Sequence, residues 1–147
     1  QILTHYSADI KTAKKITEQE AQKLENRLCE VHIPELAKDI LEQIAFEARE
    51  SEYIDHKSGV SARMSITAFE NLISTAERRA LLNKEKEITV RYSDLVGMIP
   101  SLTGKMELVY EGEQEGTAFV AHHLISEATK TLFLQYFPKI EKLKTKR

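Results

Sequence analysis

The chain lacks tryptophan altogether, and only 7% of its residues are aromatic. A hydrophobic core must therefore come mainly from leucine, isoleucine, alanine and valine, and a hydrophobic content of 41% is enough to exclude a disordered chain. Five glycines and three prolines are few for 147 residues, which favours long uninterrupted helices. The single cysteine, Cys29, excludes an internal disulfide and, with no signal-peptide pattern in view, favours a cytoplasmic protein.

No excess of either charge is present, and this removes two classes of partner. The net charge of −2 offers no broad basic surface, so we expect no nucleic acid and no membrane as partners. No apolar run approaches the roughly 20 residues that a bilayer span needs. The basic segment from Lys139 to Arg147 lacks interleaved aromatic residues, and we interpret it as a solubilising end.

The length fits one domain, or one domain with an appendage. The chain begins at Gln1 rather than at a methionine, from which we expect it to be a fragment of a longer protein. Partner residues of any site would then lie upstream.

Apolar residues at helical spacing predict an all-α fold, a helical bundle of about five or six helices with a C-terminal helical extension. Thr17 and Glu20 fit a capping box, and Pro34 fits the first turn of the next helix. A further short helix is capped by Ser93-Asp94 and must stop before Pro100. The other predicted helices cover residues 17–30, 34–52, 62–82, 102–108 and 117–137.

The segments between these helices are predicted as loops, with one exception. Ile88, Val90 and Tyr92 alternate with polar residues and indicate a short extended segment. Residues 53–60 are predicted as a loop, and residues 111–116 as an acidic linker. On the second helix, we place three acidic residues on the solvent-facing side: Glu42, Glu47 and Glu50.

The most informative motif is the run from Lys57 to Ser65, which stands directly before the third helix. If Ser61 is the cap, Arg63 lies in the first helical turn, where the amide groups point outward and the helix dipole is positive. A cation is disfavoured there unless an anion lies in front of it, to which an arginine adds about 1.5–3 kcal/mol per bond. The alternative is an ordinary surface arginine.

Several segments around this run resemble the second, helical domain of AAA+ ATPases, within the group of the magnesium chelatase ATPase subunit and the neighbouring MoxR-type ATPases. The segments are residues 58–66 (SGVSARMSI), 69–72 (FENL), 76–80 (AERRA), 90–95 (VRYSDL) and 102–108 (LTGKMEL). The resemblance implies that residues 1–110 form a lid-like domain, with residues 1–16 as the exit from an ATPase core. Residues 117–147 would be a C-terminal helix and basic tail.

In that family, the lid carries a sensor-two arginine that contacts the γ-phosphate of ATP from a helix start. The resemblance places this catalytic and ATP-binding role on Arg63, with Ser61 beside it as cap and Ser58 as a loop former. The implied partners are the N-terminal ATPase core of the same chain, neighbouring subunits of a ring oligomer and an unknown client protein.

The chain departs from a complete ATPase in two respects. It contains no phosphate loop of the form G-x-x-x-x-G-K-[ST], and no apolar strand ends in paired acids that would hold Mg²⁺. Phosphoryl transfer needs both, so we expect no hydrolysis by this fragment alone. ATP and Mg²⁺ would be cofactors of the parent protein, held mainly by the missing core.

We expect the other side chains that could bind a metal or take part in catalysis to have structural roles. Adjacent helical residues point about 100° apart, so we expect His122 and His123 to bind no metal together, one facing solvent and the other packing. Arg78 and Arg79 belong either to a solvated face or to a contact between subunits. The residues around Cys29 do not form a histidine–acid arrangement of the kind that activates a thiol, so we expect it not to be a nucleophile.

A second class of function also fits the pattern. The chain would be a free-standing helical protein-interaction module, in which amphipathic helices leave a groove for a partner helix and Arg63 is incidental. The coding sequence upstream of Gln1 discriminates the two, because only the ATPase requires a phosphate loop there. A DNA-binding helix-turn-helix is disfavoured by the net charge.

Overall fold

The computed structural model describes residues 5–21 and 29–137. Within these ranges the chain is an all-α helical bundle, as predicted, with one 3-10 helix (Tyr92–Met98) and two short strands, β1 (Glu30–His32) and β2 (Glu87–Thr89). The α-helices are α1 (Ile10–Glu20), α2 (Glu35–Glu50), α3 (Ala62–Asn83), α4 (Ile99–Thr103), α5 (Tyr110–Glu115) and α6 (Thr117–Tyr136). None of the described helices combines the length and apolar character required to cross a bilayer.

The three long helices form the centre of the bundle, and their bounds confirm the predictions for residues 34–52, 62–82 and 117–137. Helix α2 packs against α3 and α6, while α1 covers α2 and α3. Ile44, Leu72 and Leu124 are almost completely buried between them. Each such side chain contributes about 1.5–3 kcal/mol by leaving water, so this apolar interior holds the helices together.

A two-stranded parallel sheet joins the segments on either side of the α2–α3 pair. Val31 pairs with Ile88 in register, and the amide of Val90 donates to the His32 carbonyl at 2.9 Å. The extended segment around Ile88 and Val90 is confirmed, and both side chains are buried. Tyr92 was wrongly included in it, because this residue begins the 3-10 helix and is exposed.

The predicted start of the first helix at Thr17 is wrong. Helix α1 begins after Asp9, whose carboxylate accepts the Thr12 amide at 2.8 Å and caps the helix. Thr17 lies in the last turns of α1, where its side chain is buried. Residues 22–28 of the predicted helix lie outside the described residues, and Glu30 belongs to β1.

The short helix that we predicted to stop before Pro100 does so, since the 3-10 helix ends at Met98. Helix α4 follows directly, and Pro100 lies in its first turn, where its missing amide hydrogen costs nothing. Helix α4 ends at Thr103, so the prediction of a helix over 102–108 is wrong in most of its length. Leu108 instead pairs with Ile54 in an isolated antiparallel bridge.

The acidic segment that we predicted as a linker is mostly helical. Helix α5 covers Tyr110–Glu115, and Gly116, with φ of 93°, separates it from α6. Helix α6 packs on α2, α4 and α5, so it is an integral part of the bundle. The basic tail from Lys139 onward lies outside the described residues.

Candidate functional site

Arg63 lies where the sequence predicts, as the second residue of α3, with its side chain exposed. Ser61 occupies the N-cap position with an extended backbone, but its hydroxyl makes no capping hydrogen bond. Backbone groups close the first turn instead, since the Met64 amide donates to the Ser61 carbonyl at 3.0 Å. The predicted helix start is therefore confirmed, and the Ser61 hydroxyl is not used for capping.

The guanidinium of Arg63 forms no hydrogen bond or ion pair with the described residues. Only its backbone carbonyl is engaged, by the Thr67 hydroxyl at 2.8 Å. A cation in the first turn of a helix is disfavoured by a few tenths of a kcal/mol, about 0.3–1 kcal/mol at most on a surface. The side chain is thus available to an anion that approaches from outside.

The loop between α2 and α3 fixes the direction in which α3 begins. The Asp55 carbonyl accepts the amides of Ser58 and Gly59, and its carboxylate accepts the Lys57 amide at 2.9 Å. Gly59 has a left-handed backbone with φ of 70°, and a Cβ there would clash with the Tyr6 hydroxyl. The left-handed backbone favours glycine, whereas the Tyr6 hydroxyl is the end of an exposed side chain that can move aside. The Ser58-Gly59 prediction of a loop is confirmed.

A cavity of about 220 Å³ opens beside the start of α3. Its wall combines segments that are distant in sequence: the stretch before α1, the middle of α2 and the first turn of α3. Arg63 does not line it. The polar side chains of the wall include Tyr6, Thr17, Glu42, Arg49, Ser61 and Ser65.

Arg49 is the arginine of this cavity. Its guanidinium lies 4.4 Å from the ring centroid of Tyr6 and 5.2 Å from that of Phe46. Its Nε donates to the Val60 carbonyl over a long 3.4 Å, and it has no salt bridge with any described residue. Burial lowers the pKa of Arg49, although an arginine stays charged in a protein. The cavity therefore contains a half-buried cation that makes no salt bridge with a described residue, although the Glu42 carboxyl in the same wall attracts it at longer range.

Glu42 lies in the same wall and corrects our prediction that it faces solvent. Only 3% of it is exposed, and its Oε1 accepts the Thr17 hydroxyl at 2.5 Å. Burial raises the pKa of Glu42, although hydrogen bonds from Thr17 and Ser65 oppose that shift. Glu50 is exposed as predicted, whereas Glu47 is half-buried and accepts the Thr131 hydroxyl at 2.9 Å.

Arg49, Glu42 and Tyr6 were missed as site residues in the sequence. One signal was present, because Glu42 and Arg49 are two helical turns apart and so share a face of α2. Ala45 lies between them on that face and is too small to cover either side chain. Tyr6 precedes α1 and carries no periodic signal.

A second cavity, of about 350 Å³, lies between α2 and α6 and is acidic. Its wall includes Glu47, Glu50, Glu52 and Glu127, together with His123. Across residues 5–21 and 29–137, no group of three histidine, cysteine or carboxylate side chains is arranged to hold a metal ion. His123 packs edge-on against Tyr53 at 5.8 Å, which explains its position in structural terms.

The remaining candidates have structural explanations. His122 is exposed while His123 packs between aromatic rings, which confirms the predicted division. Arg79 is not part of a solvated face, because its guanidinium makes a bidentate pair with Asp94 at 2.7 and 3.0 Å. Arg78 is exposed. Cys29 is buried and forms no disulfide.

Ser93 and Asp94 were predicted to cap the short helix, but its N-cap is Arg91. Asp94 lies inside the first turn, and its carboxylate accepts the Arg91 amide at 2.8 Å. Burial tends to raise the pKa of Asp94, but hydrogen bonds from Arg79 and from the Arg91 amide outweigh it and hold the pKa below its usual value. Arg79 Nη2 also donates to the Thr89 carbonyl at 2.8 Å. This pair ties the 3-10 helix and β2 to α3.

Comparison of the chain with protein-family models, with curated proteins and with solved structures finds no significant match.

Proposed function

We propose that this chain is the helical lid domain of an AAA+ ATPase that resembles the magnesium chelatase ATPase subunit and the MoxR-type group. In this proposal Arg63 is the sensor-two arginine and contacts the γ-phosphate of ATP. One observation supports it above the others: Arg63 is exposed in the first turn of a 22-residue helix and has no partner among the described residues. An unpaired cation at that position is favourable only when an anion completes it.

The mechanism in this proposal is conformational. ATP and Mg²⁺ are held by the N-terminal core of the parent protein, and the fragment hydrolyses nothing alone. Binding of ATP draws Arg63 toward the terminal phosphate and rotates the bundle as one body, because α2, α3 and α6 share one apolar interior. Hydrolysis of ATP releases Arg63 and the bundle, and neighbouring subunits of a ring pass the movement to a client protein. A cytoplasmic location belongs to the same proposal.

The test requires the parent protein with its core. We expect Arg63→Ala to slow ATP hydrolysis about 10- to 150-fold, the kinetic equivalent of losing one charge-assisted bond of about 1.5–3 kcal/mol. Arg78→Ala is the matched control, since it removes an exposed arginine from the same helix about four turns away from the site. Turnover of the Arg63 variant equal to that of the Arg78 variant would remove the proposal.

The alternative function, a free-standing helical protein-interaction module, has one observation of its own. The last turns of α6 expose Phe133, Leu134 and Phe137, and the rings of Phe133 and Phe137 pack 4.8 Å apart. Exposed apolar side chains that lie together are typical of contact surfaces. An upstream coding sequence without a phosphate loop and an acidic strand would favour this alternative.

A further inference from the structure

We propose that the cavity beside α3 binds a phosphate group through Arg49, at a site separate from the contact assigned to Arg63. The inference goes beyond the proposed function, because the cavity is contained within the bundle and requires no ATPase core. It depends on a half-buried arginine that makes no salt bridge with a described residue, on the hydroxyl groups around it and on the space in front of them.

The charge of Arg49 is the first argument. Tyr6 and Phe46 pack against its guanidinium and fix the plane of the group, as aromatic rings commonly do for arginine. Its Nη atoms have no hydrogen-bond acceptor among residues 5–21 and 29–137, so their hydrogens remain available. A planar fork of N–H donors matches two oxygens of a phosphate group.

The second argument is the chemistry of the wall. Ser61 and Ser65 line the cavity from the first turn of α3, and Ala62 lines it between them. The Ser61 hydroxyl makes no capping bond and is free to turn toward a ligand. The first turn of a long helix also adds a favourable field for an anion, which assists Arg49 without being the basis of the site.

Space is the third argument. A cavity needs about 10–15 Å³ to hold one water molecule, and this one measures about 220 Å³. A tetrahedral anion therefore fits with room for the rest of a small phosphorylated molecule. The Tyr6 hydroxyl lies over Gly59 and bounds the cavity on the side of the loop.

Glu42 is the one acidic group in the wall, and it predicts the direction of one variant. A buried carboxylate repels a phosphate, while a neutral group of the same shape does not, and Glu42 is 3% exposed in this wall. Replacing the carboxyl with an amide keeps an acceptor for the Thr17 hydroxyl and removes the negative charge. Glu42→Gln should therefore bind phosphate more tightly than the wild type.

The experiment is a titration of the 147-residue chain with inorganic phosphate, followed by ¹H–¹⁵N NMR at ionic strength held constant with sodium chloride. We expect saturable shifts of the Arg49 Nε–H and of the Ala62 amide. Arg49→Gln should weaken binding at least tenfold, and Glu42→Gln should tighten it severalfold. Arg78→Gln, at an exposed position remote from the cavity, should leave it unchanged.

The variants also separate this inference from the proposed function. Retained binding in Arg63→Gln together with its loss in Arg49→Gln supports the cavity. Loss in Arg63→Gln alone would place the phosphate at the outer helix start and overturn the inference while leaving the sensor-two proposal intact. Shifts that do not saturate, or that follow chloride equally, would also overturn it. If Arg49→Gln unfolds, Arg49→Lys keeps the charge but loses the fork, and unchanged affinity in that folded variant would count against the site.

Discussion

Helix α3 carries Arg63 toward one of its ends and Arg79 toward the other, and the two arginines have opposite environments. Arg79, toward the C-terminal end, has a buried carboxylate and a backbone carbonyl as partners. Arg63, at the N-terminal end, has none among the described residues. Arg79 therefore stabilises the fold, whereas Arg63 is available to a ligand. Each of the following changes tests this difference between the two residues or their surroundings.

The largest effect is expected at the C-terminal end. Arg79→Met leaves the Asp94 carboxylate, 5% exposed as a side chain, without its bidentate partner. Removing one partner of a buried ion pair costs about 3–5 kcal/mol. Urea denaturation followed by circular dichroism should show this loss, and Arg78→Met should change stability by less than about 0.5 kcal/mol. Equal midpoints for the two variants would contradict a structural role for Arg79.

The next effect concerns the loop that positions the N-terminal end. Gly59→Ala places a Cβ on a left-handed backbone and against the Tyr6 hydroxyl. We expect a loss of about 1–3 kcal/mol in the free energy of unfolding, the usual cost of such strain. The control is the same substitution in a Tyr6→Phe background, which keeps the backbone strain but has no hydroxyl for the added carbon to meet. A smaller loss in that background measures the contact with the Tyr6 hydroxyl, and an equal loss would show that the contact is absent in solution.

A pH-dependent effect is expected from Glu42. Its folded pKa is raised by burial, so its contribution to stability is complete below the ordinary glutamate pKa and is lost as pH rises through the folded value. Each unit of raised pKa corresponds to about 1.4 kcal/mol. Glu42→Gln should therefore be more stable than the wild type at pH 7, and the difference should shrink toward pH 4. A difference independent of pH would show that Glu42 is not desolvated.

The smallest effect is expected at Arg63 itself. Arg63→Gln removes a cation from a helix start and breaks no contact with the described residues, so stability should rise by a few tenths, about 0.3 kcal/mol. Equilibrium urea unfolding of the wild type and of the variant, measured side by side, sets an upper limit on this difference in the free energy of unfolding. A loss above about 1 kcal/mol would mean that Arg63 has a structural partner, which would weaken its assignment to a nucleotide.

The sequence predicted the long helices because their apolar residues recur over many turns. It predicted the position of Arg63 in the first helical turn for a similar reason. A helix start is a local feature, and Gly59 and Ser61 indicate it within a few residues. Helix α1 was misplaced because Thr17 and Glu20 imitate a capping box, while the real cap, Asp9, precedes a polar stretch. Strand β1 has three residues, too few for alternation to show.

The cavity was beyond prediction for a different reason. Its wall is assembled from segments far apart in the chain, and no local pattern states that Tyr6 will reach the guanidinium of Arg49. Glu42 was assigned to solvent because acidic residues are rarely buried, and only the packing of α1 on α2 reverses that preference. The pairing of Arg79 with Asp94 was equally beyond prediction, because the distance between the two residues is set by β2 and the turn before it.

Tyr6 touches two things at once, the face of the Arg49 guanidinium and the turn at Gly59. One ring therefore shields a cation and supports the turn that precedes α3. Tyr6→Ala would uncover the guanidinium and remove that support in a single substitution, and it would leave the apolar interior of the bundle untouched, because Tyr6 is not part of it.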